Sequence, residues 1–259
     1  MKKAAPETPS IQSLDRGLII LEAVARAKRP VPLSQLKDML GLNRSSVFRL
    51  ANTLRRRGFL ANPNGSNNYT IGPSIWSLFR NYDWTMLVSI CRHHLSLLAT
   101  ETGETAHLAV REGKQVLFID HYASSNQVIA VSNQTGEFKP LYCTAHGKAL
   151  LSDCSEAELR SILGGERLER HTPRTITSIE ELARVCAKAK TDGFAVDDSE
   201  FEEEVRCLAS PVRDKDGIIV AAIGISAPVA RLSQPRITVT ARQLSDIAKK
   251  ITGILRSEA

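Results

Sequence analysis

Residues 33–58 read LSQLKDMLGLNRSSVFRLANTLRRRG, two short apolar stripes separated by a glycine. Leu33, Leu36 and Leu40 fall at i, i+3 and i+7, one face of a first helix, with Ser34 placed as its cap. Gly41 follows, where a helix stop needs a residue tolerant of positive φ. Val47, Leu50 and Leu54 make a second stripe at three- and four-residue spacing. Its outer face carries Asn43, Arg44, Ser45, Ser46, Arg49 and Asn52, and Arg55, Arg56 and Arg57 close it, where cations complement the helix dipole. These side chains suit phosphate oxygens and base edges, and they crowd the end that a helix-turn-helix presents to the major groove. The bland alternative is a helical hairpin with a solvated polar face.

The flanks favour DNA binding. Gly58 stops the second helix, and Phe59-Leu60-Ala61 and residues 67–71 bracket the turn-rich Asn62-Pro63-Asn64-Gly65-Ser66, a hairpin placed where a wing would touch DNA. Upstream, Leu14, Leu18, Leu21 and Ala25 form the stripe of a first helix, begun near Ser13 or Asp15 and ended before Pro30, which supplies the third helix such a unit needs. Residues 1–9, polar and proline-bearing, read as a tail. Downstream, Ile75, Leu78 and Phe79 start another helical pattern. Residues 84–102 form a long helix, with Leu87, Ile90, His94, Leu97 and Leu98 expected on its apolar side, connecting two domains.

Charge divides along the same line. Residues 1–80 hold 13 Lys/Arg against 4 Asp/Glu, and the remainder holds 21 against 24, so the net +6 resides in the N-terminal third. A polyanion partner is implied for that third alone. The 259 residues imply two domains, and 42% hydrophobic content excludes global disorder. There is no apolar run long enough to span a membrane and no apolar signal region. Cys91, Cys143, Cys154, Cys186 and Cys207 are odd in number and form no C-x-x-C pair, which argues against a disulfide framework or a zinc site and for the cytoplasm.

From Thr105 strands alternate with helices. Residues 105–111 and 115–120 read as a hairpin about Glu112-Gly113-Lys114, and 128–132 as a third strand. Helical patterns follow at 144–151, 155–163 and 179–191. Strands follow at 194–197, 206–213 and 218–226, with a turn at Asp214-Lys215-Asp216-Gly217, and then a helix over 235–255. This is an α+β domain around a mostly antiparallel sheet.

Several ordered motifs carry a resemblance. Ser13-Leu14-Asp15-Arg16, residues 41–50 (GLNRSSVFRL), Tyr69-Thr70-Ile71-Gly72, residues 144–149 (TAHGKA), 193–198 (GFAVDD) and 205–212 (VRCLASPV) resemble the isocitrate-lyase-regulator (IclR) family of bacterial transcription factors over nearly the whole chain. The resemblance implies a winged helix-turn-helix domain at 10–72, connecting helices at 73–102, and a GAF/profilin-like effector-binding and oligomerisation domain at 103–259. It further implies a homodimer or homotetramer on double-stranded operator DNA, with a small organic or aromatic carboxylate as effector and no other cofactor. DNA contacts fall to Asn43, Arg44, Ser45, Ser46, Arg49, Asn52 and Arg55. In the family, backbone N–H groups matching Ala145, His146 and Gly147 help hold the carboxylate, and polar positions matching Asp197, Cys207, Gly224 and Ser226 complete the pocket. A helix start there would favour an anion. Where some relatives carry serine this chain has Gly224, which lacks the hydroxyl, while His146 offers a cationic or donor group or else sits exposed at the helix start. The acidic run at 200–204 reads as a solvated loop.

An enzyme is the competing class. Cys143 and His146, three apart, could pair as nucleophile and base, or the thiols could serve a redox-sensing regulator. Asp197 and Asp198, adjacent in a strand, point to opposite faces and cannot act together. No G-x-S-x-G, P-loop, dinucleotide or H-E-x-x-H motif is present, and His93, His94, His107, His121 and His171 share no metal-ligand spacing.

Overall fold

The computed structural model describes residues 11–257 except 28, 64, 65, 67, 80–83, 124–134, 165 and 166. The expected tail, the tip of the hairpin and the expected strand at 128–132 lie outside the described residues. The chain divides into two compact units, Met1–Asp83 and Trp84–Ala259.

In the first unit, α1 (Gln12–Arg26), α2 (Leu33–Leu40) and α3 (Arg44–Arg56) pack with the strands β1 (Val31–Pro32), β2 (Leu60–Ala61) and β3 (Asn68–Ile71). A short helix, α4 (Ser74–Phe79), follows. Ile20, Val24, Leu33, Leu36, Val47, Ala51, Leu60 and Tyr69 form the shared core, each large aliphatic contributing about 1.5–3 kcal/mol on burial. Three expectations are corrected here. The buried stripe of α1 is Gly17, Ile20 and Val24, while Leu14 and Leu18 are 61% and 48% exposed. Apolar residues surround this helix, so periodicity alone admits either stripe. Ser34 does not cap α2; Pro32 precedes the helix and no side chain caps it. The wing pair β2 and β3 gains a third strand, β1, through Val31↔Tyr69 and Pro32↔Asn68. A proline in a two-residue strand carries no readable period. Gly41 ends α2 at φ 63°, a conformation costly for any residue with a Cβ.

In the second unit, α5 (Trp84–Thr102) leads into β4 (Thr105–Glu112), β5 (Gln115–Tyr122), β6 (Phe138–Pro140), α6 (Ala145–Leu150), α7 (Glu156–Leu163), α8 (Ile179–Asp192), β7 (Ala195–Asp198), β8 (Val205–Arg213), β9 (Ile219–Pro228) and α9 (Gln234–Ser257). The strands form one antiparallel sheet in the order β6-β5-β4-β9-β8-β7. Alternation along the strands builds two cores. Leu108, Val110, Ile223 and Ile225 face α5 and α9 with Leu95, Leu98, Leu244 and Ile251. Ala109, Phe118, Ala209 and Ala222 face α6, α7 and α8 with Leu151, Leu159, Ile179 and Leu182. The expected connecting helix α5 is thus built into this unit's core, and its buried stripe runs through Leu87, Cys91, Leu95 and Leu98. Leu97, expected inside, is 40% exposed.

A bulge breaks the β4–β5 register between Leu108 and Ala109, so that His107 pairs with His121 but Ala109 pairs with Phe118. Three residues apart on β5, Phe118 and His121 would ordinarily point to opposite faces. The bulge turns both toward His107, whose ring lies 5.5 Å from Phe118 and 6.4 Å from His121 between centroids.

Candidate functional site

The outer face of α3 sorts the seven expected DNA-contacting residues into two groups. Asn43 is the N-cap: its Oδ1 accepts from the Ser46 N–H at 2.9 Å and from the Ser45 hydroxyl at 2.7 Å. Asn52 Oδ1 accepts from Arg55 Nε and Nη2 at 3.2 and 2.8 Å, so these two side chains hold each other. Arg44 and Arg49 are exposed, and neither guanidinium makes a hydrogen bond or ion pair with the described residues. Phe48, 46% exposed on the same face, was missed by a reading that sought only polar groups. An apolar side chain there suits a thymine methyl.

In the second unit a narrow pocket, with about 20 Å³ of free space inside and about 350 Å³ when its open mouth is included, is lined by Phe118, Lys139, Thr144, Ala145, His146, Asp197, Phe201, Glu202, Val205, Cys207 and Ser226. It lies between the sheet and the start of α6. Of the residues expected there, Ala145, His146, Asp197, Cys207 and Ser226 are brought together, and Gly147 and Gly224 are not among the lining. The two glycines serve close approach instead. A Cβ on Gly147 would stand 2.0 Å from the Leu141 carbonyl oxygen, and one on Gly224 would stand 2.3 Å from the Leu208 oxygen and 2.8 Å from His146 Nε2. The Gly147 N–H is already taken by the Thr144 hydroxyl at 3.2 Å, which leaves the Ala145 and His146 amides, without intrahelical acceptors, as the turn's available donors.

His146 is 1% exposed, which corrects the expectation of an exposed residue. Burial lowers its pKa to about 4, against a smaller opposing effect of a hydrogen bond to the His107 backbone, so the ring is neutral and supplies no cation. Asp197 is also buried, and desolvation raises its carboxyl to about 7, only partly offset by Lys148 and by the Glu200 N–H that its Oδ1 accepts at 2.8 Å. Cys207 donates its S–H to the Ser226 hydroxyl at 3.2 Å. The loop after β7 is not simply solvated. Glu200 pairs with the fully buried Lys148, Phe201 and Glu202 line the cavity, and Lys139 bonds Glu202 at 2.9 Å while lying 4.6 Å from the Phe201 ring centroid. A run of acidic residues gave no sign of these partners, because they come from β6 and α6.

Burial also removes the chemistry a nucleophile would need. Cys143 is fully buried and its thiol is pushed up to about 12, mainly by desolvation, so at neutral pH it holds its proton. A base with a pKa near 4 does not remove it.

The family model for the IclR helix-turn-helix domain matches residues 13–63, and that for the bacterial transcriptional regulator IclR C-terminal domain matches residues 82–253. The chain is 31% identical to the HTH-type transcriptional regulator KdgR of Escherichia coli over 94% of its own length and 92% of that protein's. It is 30% identical to the acetate operon repressor of Salmonella typhimurium over 96% and 91%. Its fold matches that of an IclR homolog from Microbacterium hydrocarbonoxydans complexed with 4-hydroxybenzoate, with a TM-score of 0.79, 23% identity, and 95% and 99% of the two chains covered. The chain therefore belongs to the IclR family of DNA-binding bacterial transcriptional regulators and is not an enzyme.

Proposed function

We propose that this regulator reads a small organic or aromatic carboxylate in the cavity above the sheet and that occupancy changes its affinity for operator DNA. The cavity carries the reading. Its lining includes the Lys139 ammonium, shared with Glu202, and the first residues of α6, whose amides attract a carboxylate, while Phe118 and Phe201 supply apolar walls. Asp197, with its pKa near 7, is substantially protonated at neutral pH and repels an anion less than an ordinary aspartate would. Arg44 and Arg49, with Asn43, Ser45, Ser46, Asn52 and Arg55 around them, form the operator-contacting face.

Several polar contacts, joined to one another through the backbone of β7, β8 and the segment after β9, lie between the cavity-lining Asp197 and the end of α5. Arg206 Nε donates to Asp198 Oδ1 at 2.6 Å, beside Asp197, and Nη1 donates to the Leu232 carbonyl. Val229 N–H donates to the Glu204 carbonyl at 3.0 Å. Arg231 then grips the buried Glu104, just past α5, at 2.8 and 2.7 Å. A ligand that favours one arrangement of this set shifts a two-state equilibrium, and a tenfold to hundredfold change in operator affinity needs only about 1.4–2.8 kcal/mol of coupling. A homodimer would set two recognition helices on the two halves of an operator.

The test is a gel-shift titration on the DNA upstream of the protein's own gene, at several salt concentrations, with and without a panel of aliphatic and aromatic carboxylates. Tight, salt-sensitive binding altered by at least one acid is expected. Binding that ignores every acid would retain the regulator and remove the carboxylate reading.

A further inference from the structure

Resting on the carboxylate reading above, we propose that Glu202 is a built-in competitor of the effector: its carboxylate occupies the Lys139 ammonium, and an effector carboxylate binds by displacing it. The observation is a pocket closed by its own charged pair. Lys139 and Glu202 both line the pocket, and Lys139 Nζ donates to Glu202 Oε1 at 2.9 Å. The same ammonium lies 4.6 Å from the centre of the Phe201 ring and 3.7 Å from Glu137. The Lys139 side chain is 12% exposed, against 49% for Glu202. The cation is thus set into the wall, and the carboxylate reaches in from solvent. With about 20 Å³ of free space, the interior has room for about one water molecule and for no carboxylic acid. A ligand enters only by moving part of the wall.

One part of the wall is built to move. Phe201 and Glu202 lie in the loop after β7, while the other lining residues stand on strands or on the capped start of α6. The loop is tied down on either side of Glu202. The Glu200 carbonyl accepts from the Thr172 and Thr175 hydroxyls at 3.2 and 2.7 Å, and its carboxylate pairs with Lys148. The Phe201 N–H reaches the Asp197 carboxyl, and the Glu204 carbonyl accepts the Val229 N–H at 3.0 Å. Between these ties the Glu202 carboxylate has Lys139 as its one side-chain partner among the described residues.

A lysine ammonium offers the same three donors to a tethered carboxylate as to a free one. Tethering gives Glu202 a standing local concentration, on the order of millimolar. The effector must exceed it, so the apparent affinity is lowered in proportion to the time the ammonium is taken. The pair therefore sets the effector concentration at which the regulator responds. An effector that wins the ammonium frees Glu202 in a loop whose next fixed point, Glu204, bonds the segment leading to Arg231.

Calorimetry on the full chain with acetate, butyrate, benzoate and phenylacetate, and with benzamide as an uncharged counterpart, tests this in the parent and in Glu202→Gln. The variant is expected to bind at least one acid about threefold or more tighter, and benzamide no differently. Glu203→Gln removes an equal charge from the neighbouring exposed position and should shift the acids by less than about 1.5-fold. In a Lys139→Met background, Glu202→Gln should add nothing. Acids that bind both proteins alike would overturn the assignment and leave the carboxylate reading standing. Equal gains from the two glutamine variants, or a gain that survives Lys139→Met, would overturn it too. If no acid binds the parent or the variant, the assignment and the reading fall together. Should Glu202→Gln fail to fold, Glu202→Asp, which withdraws the carboxylate by one methylene, gives the same comparison.

Discussion

Asp197 shows how burial within the cavity alters a single residue. Its carboxyl has a pKa near 7 in the fold, against 3.8 for an ordinary aspartate. Between those values the folded chain holds a proton that the unfolded chain has lost. Stability from this group is therefore complete below about pH 4, declines as pH rises to about 7, and is flat beyond. Asp197→Asn keeps the oxygen that accepts from Glu200 and removes the titration. Its melting temperature relative to the parent should rise by several degrees between pH 5 and pH 8; a difference independent of pH would mean that Asp197 is ionised throughout. His146 works in the opposite sense, with stability lost as pH falls from about 6.5 toward 4. The family resemblance, not residue spacing, grouped Ala145, His146, Gly147, Asp197, Cys207, Gly224 and Ser226, and the pocket gathers all of them but the two glycines. Lys139, Phe201 and the buried Lys148–Glu200 pair were not legible, because a loop and a three-residue strand carry no period and their partners are distant in sequence.

Among the elements, α3 separates fold from contact. Asn43 holds the helix start, so Asn43→Ala should cost about 1 kcal/mol of stability. Arg44 and Arg49, whose guanidiniums make no hydrogen bond or ion pair with the described residues, should leave the melting temperature within a degree or two when replaced by alanine. Operator affinity, measured by fluorescence anisotropy, should fall about tenfold or more for each. A replaced phosphate contact also reduces the salt dependence of log K by about one. Unchanged affinity in both variants would remove the recognition-helix assignment. Helix existence was legible from three- and four-residue spacing, but helix orientation was less so. In α1 and α5 enough apolar residues surround the axis that the spacing fits more than one face, and tertiary packing selected Ile20 and Val24, and Cys91 and Leu95, over the neighbouring stripes. The β4–β5 bulge left no signal, since one extra residue in a strand does not disturb composition.

For the whole molecule, the exposed apolar residues of α1 bear on assembly. Ile11, Leu14 and Leu18 are 69%, 61% and 48% exposed, and Ile19 is 37% exposed, an apolar concentration that a second copy of this helix would cover. The double variant Leu14→Glu, Leu18→Glu should sediment at lower mass than the parent at micromolar concentration and lose operator affinity, while its circular dichroism stays unchanged. Equal mass for the two proteins would place any self-association elsewhere. The division of charge, basic through residue 80 and mildly acidic beyond, was legible from composition alone, and it leads us to expect the salt dependence of DNA binding to follow substitutions of basic residues in the first unit.

The crowding around Gly224 limits how this part of the sheet can be redesigned. Any Cβ at 224 would stand 2.3 Å from the Leu208 carbonyl oxygen, 2.8 Å from His146 Nε2 and 2.9 Å from the Ala209 Cβ. Shortening the side chain at 146 relieves one of these three contacts and leaves the neighbouring strand in the way. A side chain at 224 therefore requires the β8 backbone to shift, and exchange at 146 and 224 alone does not interconvert the two arrangements, with and without a side chain at 224.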